Sequence, residues 1–238
     1  MEDDKNVHHG HRSRMKAAML EHGLDGLNDH QILELLLFYA IPKRDTNPIA
    51  HRLVERFGSL RGVLEADYDE LRKVNGIADN AASLIKFSQL LSGRYLRSAS
   101  FEGDTAKFSS TDSLRMYFEG AFLGVRTEQV RAMLVDDSLC MIKEQMLMEG
   151  TIGSVELSAR KFTDFVVKND SNRIVIAHNH PNGLALPSKD DIEATKELYA
   201  IFEKLDITLL DHIIVGRSGS CSMRFVDGGR SIWLPKRR

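Results

Sequence analysis

One stretch constrains this chain more than any other. Arg173 to Ala177 reads RIVIA, apolar and β-branched enough for a buried strand, and it runs straight into His178-Asn179-His180-Pro181. Pro181 to Pro187 then forms a loop, and Ser188 opens an amphipathic helical pattern from Lys189 to Leu205 whose Ile192, Thr195, Tyr199, Phe202 and Leu205 are expected to face inward. Ser188 with Asp191 is also an S-x-x-D capping box. Strands that alternate with helices imply an α/β or α+β layered domain.

The surrounding sequence supplies the other elements. Val130 to Asp136 and Leu139 to Met148 are short apolar stretches around a turn at Asp136-Asp137-Ser138, as expected of a hairpin. Ser158 to Val167 reads as helix, and Ile207 to Val215 and Ser220 to Val226 read as strands. From Arg14 to about Leu96 the pattern is helical instead. His30 to Tyr39 is an apolar run that Asn28-Asp29 can cap, and Asn47-Pro48 is a cap followed by proline before Ile49, Leu53, Val54 and Phe57. Gly58-Ser59 stops that helix. Between these regions SASFEGDTAKFSSTDS is small, polar and aperiodic, which places a helical domain at residues 1–98, a linker at 99–112 and a second domain at 113–238.

Composition excludes some classes of function. Lys plus Arg (32) nearly balances Asp plus Glu (34), so no overall basic field draws the chain to a polyanion. Cys140 and Cys221 are too few for a disulfide framework and lack zinc-type spacing, which suits buried free thiols in a reducing compartment. No run approaches the ~20 apolar residues of a membrane span, and Met1 to Arg14 lacks a signal-peptide core. A cytoplasmic protein without membrane contact is expected. His8, His9 and His11 are expected to lie in a solvated tail without a role.

In an extended segment side chains alternate, so His178 and His180 project to one side and can present two imidazole nitrogens to one ion. Asp191, at the start of the next helix, can fold back across the loop as a third ligand and leave a fourth position for water, the arrangement of catalytic zinc. An HxH pair or a capping box alone would mean little. HxH, seven intervening residues, serine, two residues and aspartate form a far more specific set.

That pattern resembles the JAMM motif of JAB/MPN metalloproteases. The longer strings HNHPNG, PSKDDIEAT and LLDHIIVG resemble the bacterial RadC family in particular, as do GHRSRM, ELLLFYAIPKRDTNPIAHRL and FGSL nearer the N-terminus. Asn182 stands where that family usually has serine, at a position that is not a ligand. The resemblance implies an α/β (α+β) JAB/MPN domain with a mixed sheet flanked by helices, preceded by an all-α, helix-hairpin-helix-like domain. It also implies a zinc-dependent metallopeptidase or isopeptidase acting on a peptide or protein. Glu128, in RTEQVRAMLVDD, takes the place of that motif's upstream glutamate, the general base, with Glu144 and Glu149 as rivals by position. Ser188 is implied as the group that stabilises the oxyanion. His212 is expected to make a structural hydrogen bond, with Asp211 as a supporting partner.

Val74-Asn75-Gly76-Ile77-Ala78 resembles a helix-hairpin-helix turn, whose backbone N–H groups can bind a phosphate without reading sequence. Ala78 replaces its second glycine, and residues 1–100 carry 14 Lys plus Arg against 14 Asp plus Glu. Any DNA binding there is expected to be weak and sequence-independent. Two other functions stay open at this point: a DNA-associated repair factor or metal-dependent nuclease, and a metal-containing binding module without turnover.

Overall fold

The computed structural model describes residues 10–101, 103, 106–150 and 155–233, with the backbone alone at 155–157. The chain divides into two compact units, Met1–Leu91 and Ser92–Arg238.

The first unit is helical: α1 (His11–His22), α2 (Asp29–Ala40), α3 (Asn47–Phe57), α4 (Leu60–Glu65), α5 (Tyr68–Arg72) and the start of α6 (Asp79–Ala99). Asn28 precedes α2, and the Gln31 side chain accepts from its N–H at 2.9 Å, closing the expected cap. The cap of α3 is Thr46, one residue earlier than expected, because the Asn47 side chain is drawn away to donate to the Glu34 carboxylate at 2.9 Å. Gly58 ends α3 with φ +82°. Leu33, Leu37, Leu53, Val63, Leu71 and Ile85 form the core. Gly76 has φ +101°, a backbone conformation that favours glycine at that turn, and a Cβ there would also press on the Ile49 side chain, 2.8 Å from its Cδ1. His8 and His9 lie outside the described residues. His11, expected to be solvated, instead places Nε2 3.0 Å from the buried Glu34 carboxylate.

The second unit holds the end of α6, then α7 (Thr111–Phe122), β1 (Gln129–Val135), β2 (Met141–Glu149), α8 (Val155–Lys168), β3 (Arg173–Asn179), α9 (Lys189–Lys204), β4 (Thr208–Gly216), β5 (Gly219–Ser222) and a 3₁₀ turn at Arg230–Ile232. Asp136 closes the β1–β2 hairpin, its Oδ1 accepting from the N–H groups of Ser138 and Cys140 at 2.8 Å each. The five strands form one mixed sheet in the order β2-β1-β3-β4-β5, with β3 and β4 parallel and the other pairs antiparallel.

Alternation along the strands gives the sheet two apolar faces. Val130, Ala132, Leu134, Ile174 and Ile176 pack on Phe162 of α8 and on Leu198 and Phe202 of α9. Burying side chains of this size stabilises by about 1.5–3 kcal/mol each. Met133, Val135, Val175, Ala177 and Ile213 face Tyr117, Phe118 and Phe122 of α7. Three expectations need correction. The strand expected over Ser220–Val226 stops at Ser222, where the chain turns and Phe225 N–H bonds back to the Ser222 carbonyl. Leu205 is half exposed, because α9 ends at Lys204 and Leu205 lies past its last turn. Cys140 and Cys221 are free thiols but only partly buried. Among the described residues no helix is long and apolar enough to cross a membrane.

Candidate metal centre

The centre lies where β3 ends. Val130 of β1 pairs with His178, which therefore points to the α8 and α9 side of the sheet. The next residue, Asn179, is buried and extends the β1–β3 ladder with its side chain. Its Oδ1 accepts from Gln129 N–H at 2.8 Å and its Nδ2 donates to the Thr127 carbonyl at 3.0 Å. One amide thus grips the backbone on both sides of Glu128, and Gly150 N–H holds the Glu128 carbonyl at 2.7 Å. The middle residue of HxH ties the strand that carries the histidines to the segment that carries the glutamate.

The 181–187 loop is tethered to the end of β4. His180 N–H donates to the Val215 carbonyl at 2.7 Å, and Arg217 N–H donates to the Gly183 carbonyl at 2.9 Å. At Gly216 a Cβ would lie 2.3 Å from the Ala185 nitrogen, so only glycine lets the loop pass so close. The loop delivers Ser188 as the N-cap of α9. Its hydroxyl accepts from Asp191 N–H at 3.1 Å and donates to Asp191 Oδ2 at 2.6 Å, while Ser188 N–H reaches the same oxygen at 2.7 Å.

The cap fixes the Asp191 carboxylate against both histidines. His178 Nε2 lies 2.9 Å from His180 Nε2 and 3.2 Å from Asp191 Oδ1, and His180 Nε2 lies 3.5 Å from Asp191 Oδ2. Ligands around a tetrahedral zinc with bonds near 2.0–2.1 Å stand roughly 3.3 Å apart, so the spacing fits such an ion. The chemistry fits too. His180 Nδ1 is 3.1 Å from the Leu184 carbonyl, which can only accept, so Nδ1 carries the proton of the neutral ring and Nε2 is left as a lone pair. That lone pair faces an imidazole nitrogen and a carboxylate, an arrangement that a cation stabilises.

The electrostatics agree. Burial raises the pKa of Asp191, but the hydrogen bonds that His178 and His180 donate when protonated, the charge of a protonated His178 and the Ser188 hydroxyl together hold it far below the usual carboxylate range. The hydrogen bond to Asp191 raises the pKa of His180 against the opposing effect of burial, helped by the Leu184 carbonyl and the charges of Asp191 and Glu128. Behind the site, His212 of β4 is fully buried. Burial, with the charge of His178, pushes its pKa well down, although the Asp191 charge opposes this. Asp211 points to the opposite face of the sheet; burial lifts it to about 6 against hydrogen bonds from Ser222 and the His212 N–H.

The three glutamates are placed differently. Glu128 is half-buried at the entry to β1, where a continued ladder would put it beside His180. Glu144 is committed to Arg131 at 2.7 Å, and Arg131 lies over the Phe122 ring on the α7 side. Glu149 accepts from the Thr127 hydroxyl at 2.9 Å. Sequence reading missed Asn179 and Thr195 as parts of the site. Asn179 could have been flagged as a polar residue in a buried strand position, but no signal in the sequence pairs Thr195 with His212.

A family model, the RadC-like JAB domain, matches residues 108–228, just over half of the chain and a span that contains Glu128, His178, His180, Ser188, Asp191 and His212. With a mixed sheet, flanking helices and a His-His-Asp cluster suited to a metal ion within that span, the chain belongs to the RadC-like JAB domain family.

Proposed function

We propose that the chain is a zinc-dependent hydrolase that cleaves an amide, in a peptide or an isopeptide-linked conjugate. The observation that carries this reading is the convergence of three acceptor groups, His178 Nε2, His180 Nε2 and the Asp191 carboxylate, within 2.9–3.5 Å of one another. Three protein ligands leave a position open, as catalytic zinc sites do. Zinc held there would supply Lewis acidity and a nucleophile from water near neutral pH.

The chain's own residues divide the remaining work. Glu128, on a backbone clamped by Asn179 and Gly150, is suited to take a proton from the attacking water and pass it to the leaving nitrogen. Ser188 can donate its hydroxyl to the developing oxyanion. To do so its proton must turn away from Asp191 Oδ2, and the Ser188 N–H, at 2.7 Å, keeps that carboxylate in place meanwhile.

The test is hydrolysis of a panel of peptides and isopeptide-linked conjugates with and without chelator. Chelator should abolish cleavage, and Glu128→Gln should keep the metal while losing ~10²–10⁴-fold in rate. Full activity in Glu128→Gln, or cleavage indifferent to chelator, would overturn the assignment.

A further inference from the structure

Behind the metal centre four polar groups run in single file from one ligand to another. His178 Nδ1 is 2.8 Å from His212 Nε2. His212 Nδ1 is 2.8 Å from Thr195 Oγ1, and Thr195 Oγ1 is 2.6 Å from the backbone carbonyl of Asp191. His212 and Thr195 have no exposed surface.

Donor and acceptor capacity gives this file a direction. A carbonyl has no proton, so at 2.6 Å Thr195 must be the donor to Asp191, and its single hydroxyl proton is thereby used. Its oxygen can then only accept, which puts a proton on His212 Nδ1. A second proton on His212 would bury a cation whose ring has no carboxylate hydrogen-bonded to it among the described residues: the Asp211 carboxylate turns instead to the His212 backbone N–H and to Ser222. His212 Nε2 is therefore a lone pair, and the proton between the two rings belongs to His178 Nδ1. His178 Nε2 is left bare, aimed at His180 and Asp191. A free imidazole in water favours the opposite tautomer, with the proton on Nε2 blocking the ligand position.

We propose that Thr195 and His212 are positioning residues that set the tautomer of His178, so that its Nε2 is ready for a divalent cation. The proposal rests on the reading of His178, His180 and Asp191 as a metal site, and it deepens that reading. The proton on a ligand histidine's other nitrogen decides which nitrogen is free to bind. Here a threonine one turn along α9 from the ligand Asp191 makes that decision, relayed through a second histidine. One helix thus supplies a ligand and also prepares the ligand on the neighbouring strand.

The experiment uses the full-length, metal-free protein and zinc alone. Long-range ¹⁵N–¹H spectra of the imidazoles report which nitrogen carries each proton. In the wild type, His178 and His212 should both be protonated at Nδ1. Thr195→Val removes the acceptor for His212 Nδ1, so both rings should switch to Nε2–H and zinc affinity should fall by about 10–100-fold. Thr195→Ser, which keeps the hydroxyl, should restore the wild-type tautomers and affinity. If Thr195→Val fails to fold, the wild-type spectrum still decides: Nε2–H at His178 would overturn the proposal. So would unchanged tautomers or unchanged zinc affinity in a folded Thr195→Val. A wild type that shows the expected tautomers but binds no zinc would overturn the metal reading instead, which separates the two failures.

Discussion

Glu34 in the helical unit and Asp191 in the α/β unit are both carboxylates set against histidine, and they settle their burial in opposite ways. Glu34 is 1% exposed, with one oxygen 3.0 Å from His11 Nε2 and the other accepting from Asn47 Nδ2 at 2.9 Å. Each oxygen has its own donor, so the cluster is complete as it stands. Asp191 has donors from Ser188 on Oδ2, but Oδ1 faces the ring nitrogen of His178, and the two histidines turn Nε2 toward each other. Nearness of histidine and carboxylate is common to both clusters. What separates them is the balance of acceptors over donors, and only an excess of acceptors calls for a cation.

The largest expected effect concerns metal content. Replacing His178 and His180 together with alanine should reduce bound zinc to background after dialysis, whereas Glu34→Gln should leave about one zinc per chain. Zinc retained in the first protein or lost in the second would erase the contrast. Next comes the response to pH. The His180 pKa is raised in the folded state, so its pairing with Asp191 stabilises the metal-free protein below about pH 6.5 and that contribution fades as pH rises through the raised value. Zinc must displace the same proton, so its stabilisation grows over that range, toward about 2.7 kcal/mol at a hundredfold excess over Kd. Unfolding midpoints with and without zinc should diverge from pH 5.5 to 8.5, and a constant gap would contradict the pairing.

Smaller effects sharpen the comparison further. Asn47→Ala leaves a Glu34 oxygen without its donor and should cost about 1–3 kcal/mol in urea unfolding, equally with and without zinc. Ser188→Ala removes a helix cap and should cost about 1 kcal/mol, with zinc still bound. A zinc-dependent cost for Asn47→Ala would mean that the two clusters are not independent.

Much of the architecture was legible in the sequence because local rules and tertiary packing agree there. RIVIA, the S-x-x-D cap and the hairpin at Asp136 all appear as expected. So does the three-group cluster, since β alternation puts His178 and His180 on one side and the capping geometry points Asp191 back at them. The misses are places where tertiary partners override a local signal. Asn47 has the makings of a cap, yet Glu34 claims its side chain. His11 resembles part of a tail, yet the same carboxylate holds it. Thr195 fits an apolar stripe, and its link to His212 depends on β4 pairing in parallel beside β3.

The most direct test of the central claim is a crystal structure of the zinc-loaded protein measured at the zinc absorption edge. The account predicts one anomalous peak about 2.0–2.2 Å from His178 Nε2, His180 Nε2 and an Asp191 oxygen, with the Glu34 cluster free of any peak. A zinc ion bound elsewhere, with none among these three residues, would contradict it.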